Sequence, residues 1–225
     1  FELIEKYPHY RFNFEGAFRY ELIEEYYPEQ FEKIKQYVKD GRWCVSGSAF
    51  ENGDVNIPSP EALFRNFLYG NRYFEDKFGV TSKDVFLPDC FGFGYALPSI
   101  AKHSNLLGVS SQKLSWGGAY ECPFDLGVWQ GVDGSRIFAS LKPLSYRYKF
   151  DGDVRGDLQI IDKLADNGVH YGLPWTMNYY GTGDWGGAPD EQSVESVEQS
   201  VAYNDTSETQ VISASSDEVF KQLDA

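Results

Sequence analysis

Apolar residues along this chain recur at two spacings, and the alternation between them outlines the fold. Residues 1–7, FELIEKY, read as the tail of an amphipathic helix. After Pro8 the run YRFNFEGAF alternates polar and aromatic residues as a strand does. Residues 29–39 place Phe31, Ile34 and Val38 on one helical stripe, with Asp40-Gly41 as the stop. WCVSGSAF, residues 43–50, reads as the next strand. Ser59-Pro60-Glu61 is a helix start in which serine caps, proline suits the first turn and glutamate meets the positive end. That helix carries Leu63, Phe67, Phe74 and Phe78 inward and ends at Gly79.

The second half continues the alternation. DVFLPD (84–89) predicts a third strand and residues 97–107 a helix. VWQGVDGSRIFASLK predicts two strands around an Asp-Gly turn. Leu158, Ile161, Leu164 and Ala165 mark a helix closed by Gly168, and LPWTMNYYG (173–181) is strand-like. Pro189-Asp190 opens a helix with Val194, Val197 and Val201 on one face; TQVISAS predicts a last strand, and Ser215-Ser216-Asp217-Glu218 resembles a capping box. Strand then helix, about six times over, predicts an α/β fold, either a parallel β/α barrel or an open doubly wound sheet. In both, chemistry gathers where loops leave the C-terminal ends of strands.

Composition and charge narrow the function. The 225 residues carry 20 Lys+Arg against 34 Asp+Glu, a formal charge of −14. Such a surface repels phosphate backbones and anionic membranes, which argues against a nucleic-acid partner. No apolar run reaches the about 20 residues of a membrane span. Three well-separated cysteines, Cys44, Cys90 and Cys122, form neither a disulfide framework nor a zinc knuckle. The aromatic content, 17%, suits either a ring-rich core or a sugar cleft, because aromatic faces pack on the apolar faces of pyranoses. The chain begins at Phe1 and its one methionine is Met177, so it is expected to be a piece of a longer polypeptide.

Two lone acids stand at expected strand ends. Asp89 closes an apolar strand and is followed by Cys-Phe-Gly-Phe-Gly; it either caps the next helix or faces a ligand. Asp184 and Trp185 sit in YYGTGDWGGAPDE, where glycines allow close approach to a ligand, although a plain solvent turn would use the same residues. That loop lacks the lysine of a phosphate-binding P-loop. Two carboxylates on different strand ends are what glycosidic cleavage requires, one attacking the anomeric carbon and one protonating the leaving oxygen. Glu51 and Asp54, after another strand, could bind sugar hydroxyls or form a solvated acidic turn.

Taken together these segments resemble glycoside hydrolase family 38 α-mannosidases. LPDCFGFGYALP is similar to their Asp-x-Phe-Gly segment, and GRWCVSGSAFENGDVNIPSPEALFRNFLYGNRYF to the stretch just upstream. QKLSWGG, PFDLGVWQGVDGSRI and YGTGDWGGAPDE resemble later segments, in the expected order over nearly the whole chain. The resemblance implies a seven-stranded β/α barrel of the glycoside hydrolase/deacetylase type, present here incompletely. It implies a retaining α-mannosidase acting on glycans with terminal α-mannose, with Asp89 as nucleophile and metal ligand and Asp184 as acid/base. Phe91 would wall the sugar subsite, with Trp185, Asp54 and Glu51 as further substrate contacts. It also implies Zn2+, whose remaining ligands are expected outside this chain: none of His9, His103 and His170 lies in a His-x-Asp pair. The 225 residues alone are therefore expected to be nearly inactive. A non-catalytic carbohydrate-binding or scaffold domain on the same barrel is the alternative, and a different metal-assisted barrel glycosidase or deacetylase a third.

Overall fold

The computed structural model describes residues 1–115, 122–184 and 186–225. Its elements in chain order are α1 (Glu2–Lys6), β1 (Phe12–Glu15), α2 (Ala17–Tyr26), α3 (Pro28–Lys39), β2 (Trp43–Ser46), α4 (Pro60–Phe78) and β3 (Asp84–Phe86). There follow α5 (Leu97–His103), β4 (Gly108–Ser110), β5 (Leu126–Gln130), β6 (Arg136–Ser140), α6 (Leu158–Tyr171), α7 (Glu191–Ala202) and α8 (Glu218–Asp224). β1 and β2 pair in parallel; β3, β4 and β6 form a parallel ladder with β5 antiparallel at its edge. The Ser48 amide donates to the Asp84 carbonyl at 2.9 Å, which carries the wall from β2 to β3. The parallel strands therefore send their C-terminal ends to one rim.

Packing follows the apolar stripes. Val85, Val109 and Ala139, one from each strand of the parallel ladder, are fully buried with Leu97, Ile100 and Ala101 of α5. A second cluster holds β1 and β2 against α2, α3 and α4 through Tyr20, Phe31, Ile34 and Phe74. Tyr20 keeps its buried hydroxyl satisfied: it donates to the Phe14 carbonyl at 2.9 Å and accepts from the Trp43 indole at 3.0 Å. Leu144, Phe150, Val154, Ile160 and Val197 form a third cluster under the last helices.

Most helix limits match their sequence signals. Ser59 Oγ accepts from the Ala62 amide, Gly79 ends α4 in the left-handed conformation, and Asp190 caps α7 by accepting from the Ser193 amide. Several expectations need correction. α6 runs through Gly168 and stops at Gly172 (φ 67°), with Ile160 rather than Ile161 buried. Residues 173–181 and 209–215 join no ladder among the described residues. Asparagine side chains bond their backbone instead: Asn167 donates to the Trp175 carbonyl, and Asn204 accepts the Val211 amide and donates to its carbonyl. Nor is Ser215–Glu218 a capping box. Asp217 is buried and its Oδ2 accepts the Lys83 amide, tying α8 to β3. All three cysteines are free thiols. Among the described residues no helix is long and apolar enough to cross a membrane.

Candidate active site

Asp89 stands just beyond β3, in a loop that begins where the Leu87 amide donates to the Ser110 carbonyl of β4. One strand further on, the turn after β4 supplies Lys113. Its side chain is only 3% exposed, yet its ammonium reaches Asp89 Oδ1 at 2.8 Å. Burial of the lysine pulls its proton affinity down, but the bond to Asp89 and that residue's charge win, so Lys113 is held above its ordinary value and stays cationic. Asp89 itself is half exposed, which leaves room for a ligand.

The third contribution follows β6. Tyr146, anchored through its amide to Gln112 Oε1 at 2.9 Å, places its hydroxyl 3.2 Å from Asp89 Oδ1 and 3.1 Å from Asp184 Oδ1. One phenol oxygen thus joins the two acids that the sequence singles out, 95 positions apart in the chain. The next residue, Arg147, donates to Asp184 Oδ2 at 2.8 Å. Burial, the Asp184 hydrogen bond and the Asp89 charge all raise the Tyr146 phenol, which therefore remains protonated. Asp184 has φ 64°, a left-handed conformation that aspartate tolerates better than most residues.

The other expected site residues fall around this pair unevenly. Phe91 is 74% exposed, with the Lys113 ammonium 4.8 Å from its ring centroid. Glu51 pairs with Arg19 at 3.0 Å. Asp54 is taken up locally: its Oδ1 accepts the Asn56 and Ile57 amides, an Asx turn. That turn still borders the Asp89 loop, since a Cβ on Gly92 would lie 2.4 Å from Asn56 Nδ2. Trp185 lies outside the described residues, as does Trp116 of the QKLSWGG segment.

Sequence reasoning missed Lys113, Tyr146, Arg147 and Glu15. Glu15 ends β1 at the same rim, and its Oε2 has no hydrogen-bond partner among the described residues. Burial raises its carboxyl, and the neighbouring charges of Glu51 and Asp89 add to this against the opposing Arg19 and Asn52. A polar residue closing an alternating apolar run was the available signal.

Toward a metal ion the described residues offer little. No three His, Cys, Asp or Glu side chains among them are grouped to hold one. His9, His103 and His170 instead face Glu198, Asp133 and Asp166. Asp89 is a single carboxylate whose Oδ1 already meets an ammonium. These residues do not make a metal site by themselves.

An arc of parallel strands with paired acids on its C-terminal rim defines a barrel of the glycoside hydrolase/deacetylase type. The fold is shared with a putative polysaccharide deacetylase from Mycobacterium smegmatis, at TM-score 0.57 and 9% identity over 99% of this chain and 74% of that one. An alpha-mannosidase from Enterococcus faecalis V583 superposes with TM-score 0.73 and 21% identity, covering 99% of this chain and 25% of that one. In sequence, residues 1–225 match the glycosyl hydrolases family 38 N-terminal domain, and the chain belongs to that family. Alpha-mannosidase G of Dictyostelium discoideum is 33% identical over 219 residues, 97% of this chain and 20% of that protein. The chain spans about a fifth of the length of the curated relatives it matches.

Proposed function

We propose that the protein carrying this chain is a retaining α-mannosidase. Asp89 attacks the anomeric carbon of a terminal α-mannoside, and Asp184 protonates the departing oxygen and then draws the proton from water. The single observation that carries this reading is the Tyr146 hydroxyl, in hydrogen-bond reach of both carboxylates. A shared partner brings the two carboxylates to one site, as glycosidic cleavage by two carboxyl groups requires. The Lys113 ammonium, 2.8 Å from Asp89 Oδ1, orients the carboxylate that attacks. Exposed Phe91, its ring centroid 4.8 Å from the Lys113 ammonium that meets Asp89, offers an apolar face for a pyranose ring.

A divalent ion, zinc by the family resemblance, would take Asp89 as one ligand and draw the others from outside residues 1–225. The sugar chemistry supplied by this chain is that of two carboxylates and the cations and phenol that orient them.

The test is made on the full-length protein. Asp89→Ala should abolish turnover of every α-mannoside. Asp184→Ala should slow substrates with poor leaving groups far more than activated aryl mannosides, because only the former need protonation. Equal losses on both remove Asp184 from the acid role. Mannose binding without any turnover in the unmodified protein would favour the non-catalytic carbohydrate-binding reading.

A further inference from the structure

We infer that Tyr146 is the positioning residue that sets Asp184 in place against Asp89. This rests on the α-mannosidase reading above and adds a residue to it. Asp184 lies in a glycine-rich loop: Gly183 precedes it, Gly186 and Gly187 have positive φ, and Asp184 itself is left-handed at φ 64°. In such a loop the side chains that touch the carboxyl help to place it.

Among the described residues two side chains do, and they differ in kind. Arg147 and Asp184 are 59% and 49% exposed, and an ion pair so open to water holds geometry weakly. Tyr146 is fixed at several points. Its amide is bonded to Gln112 Oε1, and Gln112 is only 4% exposed. The Lys113 ammonium lies 5.4 Å from its ring centroid. The backbone of Gly183 closely approaches the ring: a Cβ there would meet Tyr146 Cε2 at 1.8 Å and Cδ2 at 2.2 Å. The ring thus docks the loop one residue before the acid, and the hydroxyl donates to Asp184 Oδ1 at 3.1 Å. The same oxygen is 3.2 Å from Asp89 Oδ1, so one rigid group measures the gap between the two acids. Glycine at 183 is required by this contact, since any side chain would drive the loop off the ring.

The experiment uses the full-length protein and a series of aryl α-mannosides of graded leaving-group basicity. Tyr146→Phe keeps the ring and deletes the hydroxyl. It should lower kcat about tenfold on the poorest leaving group and about twofold or less on the best, with KM and melting temperature held. Gly183→Ala touches neither carboxyl and should produce the same discrimination by displacing the loop. Asp184→Ala is the control for the underlying assignment. If Asp184→Ala discriminates between leaving groups while Tyr146→Phe and Gly183→Ala lower all rates by one factor, the positioning role is overturned and the acid assignment stands. If Asp184→Ala shows no discrimination, the acid assignment fails and the inference with it.

Discussion

Beneath the rim, Asp84 at the start of β3 is fully buried, and this makes a stability prediction with a definite sign. Its Oδ1 accepts from the Gly47 amide at 3.2 Å and from Ser82 Oγ at 2.6 Å, but its Oδ2 has no hydrogen-bond partner among the described residues. Asp217, 2% exposed, is nearby and already fully engaged by Lys221, Ser215 and the Lys83 amide. Burial first, and the Asp217 charge second, raise the Asp84 carboxyl above its ordinary value. An unfolded aspartate ionises near about pH 3.9. Below that pH both states hold the proton and Asp84 costs nothing. As pH rises, the unfolded chain releases its proton freely while the folded chain resists. Stability therefore falls, by at most about 1.4 kcal/mol per pH unit, until the folded carboxyl ionises too.

Asp84→Asn keeps the acceptor for Gly47 and Ser82, and turns the unpaired oxygen into an amide donor that cannot ionise. The variant should match wild type near pH 4 and exceed it by a margin that grows with pH, by at most about 1.4 kcal/mol per pH unit, until the folded carboxyl ionises. Urea denaturation of the 225-residue chain, followed by tryptophan fluorescence at half-unit pH steps, reads the difference. Comparing the two proteins at each pH cancels the titrating groups that do not interact with Asp84. A difference that stays constant from pH 4 to pH 8 would show that Asp84 ionises as freely in the folded chain as in the unfolded one, and would refute the reasoning.

Two further changes probe the packing and the rim. Gly70→Ala puts a Cβ 2.2 Å from the Ser48 carbonyl oxygen and 2.5 Å from the Phe50 amide nitrogen. Both are backbone atoms that cannot swing away, so α4 should be forced off the loop after β2 at a cost of about 1–3 kcal/mol, read as a lower urea midpoint. Lys113→Met preserves much of the buried stem but removes the ammonium that meets Asp89. It should lower kcat/KM of the full-length protein about 10- to 100-fold, with Lys113→Arg retaining more activity than Lys113→Met.

What the sequence disclosed depended on whether the deciding contact was local. α4 was legible at both ends because its stop and start, Gly79 and Ser59, act within one turn. The β5–β6 hairpin was legible for the same reason: Asp133 and Gly134 make the turn themselves. Gly168 misled because it sits inside α6 where a Cβ would also fit, 3.6 Å from Pro174 Cβ, while Gly172 supplies the left-handed stop. Residues 173–181 and 209–215 have strand composition, but among the described residues nearby asparagine side chains, not a paired strand, meet their backbone: Asn167 donates to the Trp175 carbonyl and Asn204 accepts the Val211 amide. The site divides similarly. Asp89 and Asp184 stood out as lone acids beside glycines, whereas Lys113 reads as an ordinary surface lysine until β4 and the Asp89 loop enclose it. Tyr146 and Arg147 lie in a run, SYRYKF, that looks like any solvated aromatic turn. Only the return of the chain 38 residues later shows what they hold.

The identity of the nucleophile is the point on which the functional reading turns. The full-length protein can be incubated with an activated fluorinated mannosyl donor that forms the glycosyl-enzyme quickly and loses it slowly, then digested and mapped by mass spectrometry. The expected result is a single mannosyl-type adduct on the carboxylate of Asp89, within LPDCFGFGY. A stable adduct on any other carboxylate, or steady turnover with inversion at the anomeric carbon and no adduct, would contradict it.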